Sequence, residues 1–94
     1  MVNIVKYCHD NKVCHRDLKP ENFILSNDKE LEIMLIDFGL CYKWKENMKK
    51  EHHAKAGSIT GTAYYMSPEI FTGSYDARCD IWSLGIILFM LITG

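Results

Sequence analysis

The last fourteen residues, "IWSLGIILFMLITG" from Ile81 to Gly94, carry no charge at all. That run falls short of the roughly 20 apolar residues needed to cross a bilayer. It reads instead as a helix buried on nearly all sides, and such a helix demands a shell of protein around it. Ninety-four residues make one small domain or a piece of a larger one, and a chain that stops at this helix is expected to be a piece. Isolated, it is expected to expose apolar surface and to be poorly soluble.

Upstream, "VCHRDLKPENFIL" (Val13 to Leu25) crowds His, Arg, Asp, Lys, Glu and Asn between apolar anchors. A surface turn would look like this, and so would a reaction site. Composition narrows the partners. With a formal net charge of −1, the chain has no bulk field to attract nucleic acid or an acidic membrane. The four cysteines, Cys8, Cys14, Cys41 and Cys79, form no C-x-x-C pair, and no signal-peptide pattern precedes them. They read as reduced thiols of a cytoplasmic protein. The dipeptides Cys8-His9 and Cys14-His15, with His52-His53, suggest zinc, but their spacing fits no familiar structural zinc module and that reading is set aside.

Local patterns predict the remaining elements. Val2, Val5 and Cys8 fall at helical spacing, and "HDNK" at 9–12 supplies the stop. Val13-Cys14 is a short extended segment. "FILS" (23–26) and "LEIMLID" (31–37) around "NDKE" read as a β-hairpin, which would bring Asn22 and Asp37 to the same edge of the sheet. From Gly39 to about Tyr65 the chain is polar and irregular, read as one long loop. Phe71 to Gly73 close a helical turn after Pro68, and Asp76 is placed as the cap of the final helix.

Four segments together carry a resemblance. "HRDLKPEN" (15–22), "DFG" (37–39), "GTAYYMSPE" (61–69) and "DIWSLG" (80–85) resemble the C-lobe signatures of eukaryotic protein kinases, in the family's order and at sensible separations. The resemblance covers Val13 to Gly94. It implies an α+β, protein-kinase-like fold, here a partial C-terminal lobe. That lobe would hold the end of a helix, a catalytic loop, a β-hairpin, an activation segment and a buried hydrophobic helix. Residues 1–94 would then be a partial protein kinase domain without its N-lobe and later C-lobe helices.

The implied activity is transfer of the γ-phosphoryl of ATP to a protein Ser or Thr hydroxyl. Such a reaction needs positioning and charge stabilisation more than covalent chemistry. By resemblance, Asp17 is the catalytic base, and Lys19 contacts the transferred phosphate. Thr62 bonds to the Asp17–Lys19 pair. Asn22 and Asp37 hold Mg²⁺ through hard oxygen donors. Lys19 with Gly61-Thr62 resembles serine/threonine rather than tyrosine kinases. Ile24, Ile87 and Leu91 fall where the family builds the column beneath adenine, with Ile24 as its floor or a plain core residue.

Other matches serve structure and regulation. His15 and Phe38 resemble the family's stacked spine, and Gly39 completes the "DFG" turn. Asp80 resembles the anchor of the catalytic-loop backbone, and Glu69 the acid that pairs with an arginine of a later helix. Arg16 precedes the base as in kinases that bind a phosphate on the activation segment. Ser58 aligns with that phosphosite, Thr60 is the backup, and Lys43 and Lys55 would assist. The segment is longer than is typical, and Ser67 replaces the usual Ala. "GTAYYMSPEI" and "YDARCDIWSLGIILFMLITG" are most similar to calcium-dependent and calmodulin-regulated kinases. Regulation of that type would lie outside this segment, since no D-x-D-x-D-G loop is present.

Three readings follow: a segment of an active kinase, a pseudokinase or scaffold acting by binding, and a truncated non-catalytic product. The presence of Asp17, Asn22 and Asp37 favours the first. The glycine-rich loop, the ATP-contacting lysine and its glutamate partner are not among these residues, so the 94-residue piece alone is expected to be inactive. Glu21 would suit recognition of a basic residue near the target hydroxyl.

Overall fold

A computed structural model describes residues 1–27, 29–45, 51–53 and 59–94. Helix α1 (Val2–Asp10) buries Val5 and Cys8 and leaves Val2 exposed. It stops where the "HDNK" pattern predicts, with Lys12 turning the chain at φ 62°. Strand β1 (Val13–Cys14) follows, then the polar loop and a 3-10 turn at Pro20–Asn22. Pro20 suits that turn because its φ is fixed and its missing N–H goes unused in a first turn.

The predicted hairpin forms from β2 (Phe23–Asn27) and β3 (Glu32–Leu35). They pair antiparallel, Phe23 with Leu35, Ile24 with Met34 and Leu25 with Ile33, and an irregularity precedes the Asn27–Glu32 pair. The Ile36 N–H then donates to the Asn22 carbonyl at 2.9 Å, tying the two ends of the hairpin together.

The segment expected as one long irregular loop contains more structure than its polarity suggests. Strand β4 (Tyr42–Lys43) pairs with β1, Val13 opposite Lys43 and Cys14 opposite Tyr42. Strand β5 (Glu51–His53) pairs with β6 (Ser74–Asp76), His52 opposite Tyr75. Trp44 is buried against Cys14, Ile70, Tyr75, Ala77 and Cys79, so this loop feeds the core. Two further 3-10 turns, Ala63–Tyr65 and Pro68–Thr72, carry the chain onward, the second closed by Gly73 in the left-handed region at φ 76°. Ser58 and Lys55 lie outside the described residues.

Helix α2 (Arg78–Thr93) occupies the predicted position. Its N-cap is Ala77 rather than Asp76, yet Asp76 Oδ1 accepts the Arg78 N–H at 2.8 Å and still satisfies that terminal donor. Burial on nearly all sides is corrected. Cys79, Asp80, Ser83 and Ile87 face inward, while Trp82, Leu88, Phe89, Leu91 and Ile92 stand exposed, Ile92 at 75%. Among the described residues only one face of this helix has packing partners. No helix of the described residues is long and apolar enough to cross a membrane.

Two buried clusters sit at the two ends of the polar loop. One holds Cys14, Trp44, Ile70, Tyr75, Ala77 and Cys79; the other holds Val5, Leu18, Tyr65 and Ile87, with Phe23 and Leu35 packed on it. Cys14 and Phe23 thus anchor the polar loop at its two ends, and Leu18 pins its middle. Ser83 joins the clusters' elements: its hydroxyl donates to the Tyr65 carbonyl at 2.6 Å.

Candidate active site

The loop from His15 to Asn22 is held in an unfavourable shape by identifiable bonds. Arg16 has φ 67°, a left-handed conformation that costs a non-glycine residue free energy unless its surroundings enforce it. Asp80, from the first turn of α2, enforces it. Its Oδ2 accepts the His15 N–H and its Oδ1 the Arg16 N–H, each at 2.9 Å. The His9 ring nitrogen Nε2 bonds to Oδ2 at 2.8 Å. Burial by itself would raise the Asp80 pKa, but the bonds from His9, His15 and Arg16 outweigh it and hold the carboxyl below its ordinary value.

His15 connects the two halves of the site. The Asp17 N–H donates to His15 Nδ1 at 3.3 Å, which leaves Nε2 as the protonated nitrogen facing the Ile36 carbonyl at 3.1 Å. The ring also meets Phe38 edge-on, centroids 5.0 Å apart. One imidazole therefore bridges the loop carrying Asp17 and the segment carrying Asp37.

Asp17 is buried, and both carboxylate oxygens have partners. Thr62 donates to Oδ1 twice, from its N–H at 2.9 Å and its hydroxyl at 2.8 Å. Lys19 Nζ donates to the Thr62 hydroxyl oxygen at 3.2 Å and lies 3.5 Å from Asp17 Oδ2. Three residues named from sequence thus meet in one cluster, across 45 positions of chain between Asp17 and Thr62.

Asn22 is buried beneath this cluster, its Nδ2 donating to the Asp17 carbonyl at 2.8 Å. With the amide nitrogen committed there, Oδ1 is the group left to accept or to ligate. Asp37 is exposed, at φ 61°, and its Oδ1 accepts the Gly39 N–H at 3.3 Å. A Cβ on Gly39 would stand 3.2 Å from that oxygen, so glycine leaves the carboxylate its room. An amide oxygen and an accessible carboxylate at the joined ends of one hairpin are a donor set that fits a hard cation such as Mg²⁺.

The remaining predicted residues divide. Ile87 is buried with Leu18, whereas Ile24 and Leu91 are exposed at 41% and 64%, so these three do not form a continuous buried column. Glu69 makes no ion pair among the described residues; it lines a cavity of about 410 Å³ with Ser74, Tyr75, Asp76 and Arg78. Arg16 is already engaged: Nε donates to the Leu40 carbonyl at 2.6 Å, NH1 to the Tyr75 hydroxyl at 2.9 Å, and the guanidinium lies over the Tyr42 ring. The Thr60 hydroxyl is buried without a hydrogen-bond partner among the described residues. Ser58 falls outside them.

Sequence reasoning missed two contributors. Tyr75 holds Arg16 and was quoted only as the first residue of "YDARCDIWSLGIILFMLITG", with no role assigned to it. Gly61, quoted only as part of "GT", has φ 112°, and a Cβ there would come within 2.5 Å of the Arg16 carbonyl oxygen. Only glycine lets the Thr62 segment lie against the loop from His15 to Asn22 this closely.

The sequence model of the protein kinase domain matches residues 1–94. Among curated proteins, Calcium-dependent protein kinase 5 of Plasmodium falciparum is 46% identical over 94% of this chain, which covers 15% of that protein. Calcium-dependent protein kinase 22 of Arabidopsis thaliana is 44% identical over the whole chain, covering 18% of its own length. Calcium-dependent protein kinase 21 of Oryza sativa is 42% identical, again over the whole chain and 16% of that protein. The chain spans about one-sixth of the length of these relatives.

Proposed function

The chain belongs to the protein kinase family, and on that premise we propose that it carries the phosphotransfer centre of a serine/threonine protein kinase. The observation that carries the proposal is the Asp17 carboxylate, with Oδ1 gripped twice by Thr62 and Oδ2 beside Lys19. A base held in this way presents its free lone pairs in one direction without paying reorganisation at the moment of reaction.

Asp17 orients the substrate hydroxyl and receives its proton as the oxygen attacks. Lys19, tethered through the Thr62 hydroxyl, places its positive charge where the transferred phosphoryl gathers negative charge. Asn22 Oδ1 and the Asp37 carboxylate would hold Mg²⁺, and Ile24 is the apolar contact for adenine. Mg-ATP, when bound, supplies the γ-phosphoryl group and the metal that neutralises its oxygens. Asp80 keeps the base in place through the backbone of His15 and Arg16, and His15 keeps the Asp17 and Asp37 segments in fixed relation.

The family's ATP-contacting lysine and glycine-rich loop are not among these 94 residues, and the relatives are about six times longer. We therefore assign activity to the full-length protein and none to this piece alone. Calcium dependence, named in the relatives, is proposed for segments beyond these residues. Exposed Glu21 fits contact with a basic residue near the target hydroxyl.

The test is phosphoryl transfer from ATP by the full-length protein to matched peptides bearing Ser, Thr or Tyr. Transfer to Ser and Thr, Mg²⁺-dependent and absent with Tyr, is expected. Saturable ATP binding with no transfer to any acceptor would support the scaffold reading instead.

A further inference from the structure

Arg16 precedes Asp17 in the chain, and its backbone is confined on both sides. Asp80 Oδ1 accepts its N–H, and Gly61 lies so close to its carbonyl oxygen that a Cβ there would stand 2.5 Å away. The side chain carries a full positive charge, yet no carboxylate pairs with it among the described residues. Its partners are neutral and come from three other places in the chain. Nε donates to the Leu40 carbonyl at 2.6 Å, and a terminal guanidinium N–H donates to the Tyr75 hydroxyl oxygen at 2.9 Å. The guanidinium carbon stands 5.8 Å from the centre of the Tyr42 ring.

We propose that Tyr75 is a positioning residue for phosphoryl transfer, fixing Asp17 through the Arg16 side chain. The inference rests on the phosphotransfer reading and concerns a residue to which that reading gives no part. Tyr75 is 5% exposed, and its ring packs in the cluster of Cys14, Trp44, Ile70, Ala77 and Cys79. A phenol has only two side-chain torsions, so a buried ring presents its hydroxyl at one point in space. The bond it accepts from a guanidinium is charge-assisted and stronger than a neutral one. Arg16 is thereby referred to the core rather than to a mobile surface carboxylate.

This hold reaches both halves of the site. Arg16 stands at φ 67°, so each contact that confines it also keeps Asp17 from relaxing with it. Its Nε bond ties the loop to Leu40, three residues beyond Asp37. His15 makes one link between the Asp17 and Asp37 segments, through the Ile36 carbonyl and the Phe38 ring. Arg16, oriented by Tyr75, makes a second. Two links at successive residues stop a rotation that either alone would permit. On this account Tyr75 serves the geometry of the transfer step and not the binding of nucleotide or peptide.

The test is Tyr75→Phe in the full-length protein, which keeps the buried ring and deletes only the acceptor. Turnover should fall about tenfold, less than the roughly hundredfold that a 1 Å displacement costs. KM for ATP and for a Ser peptide should stay within about twofold. In an Arg16→Met background the same substitution should change kcat by less than about twofold, because the group it works through is gone. A packing role independent of Arg16 would cost the same factor in both backgrounds. A second readout needs no turnover. With ¹⁵N-labelled arginine, hydrogen exchange at the Arg16 side-chain Nε–H should quicken about tenfold in Tyr75→Phe. Undiminished kcat, an equal loss in both backgrounds, a loss confined to KM, or unchanged Nε–H exchange each overturns the proposal. A parent protein that transfers nothing, with exchange still quickened by Tyr75→Phe, refutes the phosphotransfer reading while bearing out the Tyr75 hold on Arg16.

Discussion

Replacing Asp80 by Asn is the sharpest probe of how the loop carrying Asp17 is held. Asp80 is 1% exposed and accepts three hydrogen bonds, from His9, His15 N–H and Arg16 N–H, with the two backbone donors on different oxygens. An amide has one acceptor oxygen and one donor nitrogen. If its oxygen serves His15, its NH₂ faces the Arg16 N–H; if it serves Arg16, His15 is left facing a donor. Either way one buried backbone amide is orphaned, at about 1–3 kcal/mol, and the surviving bonds lose their charge assistance. The total is about 2–5 kcal/mol, a large share of the roughly 5–15 kcal/mol that holds a domain folded. Much of it should appear locally, because Arg16 sits at φ 67° only while the carboxylate grips it. Hydrogen exchange on the full-length protein reads this out. Protection at the His15 and Arg16 amides should fall about thirtyfold or more, the equivalent of about 2 kcal/mol, with phosphotransfer falling alongside. A change under about threefold at both amides, less than about 0.7 kcal/mol, would refute the claim that Asp80 holds this turn.

The same carboxylate gives a pH dependence of defined sign. Its folded pKa lies below the ordinary value, so its stabilisation is complete above the unfolded carboxyl pKa and is lost as pH falls through the folded one. The stability gap between the parent and Asp80→Asn, measured by urea unfolding, should be constant from about pH 5 to 7 and shrink below about pH 4. Gly61→Ala places a Cβ 2.5 Å from the Arg16 carbonyl and must push Thr62 away from Asp17. Turnover should fall by about tenfold to a hundredfold with ATP affinity retained, as kinetics and calorimetry would report. Ser67 is fully buried, and its hydroxyl has no partner among the described residues. Ser67→Ala should therefore raise stability by about 1 kcal/mol in thermal unfolding; a loss of that size would reveal an unrecognised bond.

Much of this was legible because the informative residues are close in sequence. The hairpin follows from two apolar runs around a polar turn, and its register brings Asn22 to the Asp37 end as that pattern requires. The residues of "HRDLKPEN" that gather around Asp17, Lys19 and Asn22 among them, likewise lie in one stretch. What stayed hidden depends on contacts between distant segments. Strands β4 and β5 are two and three residues long, too short to show a period, and they exist because β1 and β6 offer edges to pair with. Tyr75 reaches Arg16 across 59 positions, and Cys14 meets Cys79 across 65. Gly61 matters for a clash that only the folded chain can reveal. The exposed face of α2 shows the converse: its apolar run was plain in sequence, but hydrophobicity alone does not specify what covers it.

The central claim is that Asp17, fixed by Thr62, acts as the base of phosphoryl transfer. It is tested most directly by Asp17→Asn in the full-length protein, with Mg-ATP affinity and transfer to a Ser/Thr peptide measured on the same preparation. Asn fills the same space and still accepts the Thr62 bonds through one oxygen, but it takes no proton. Transfer should fall by about 10²- to 10⁴-fold while ATP affinity and melting temperature stay near those of the parent. Transfer at the parental rate would contradict the account.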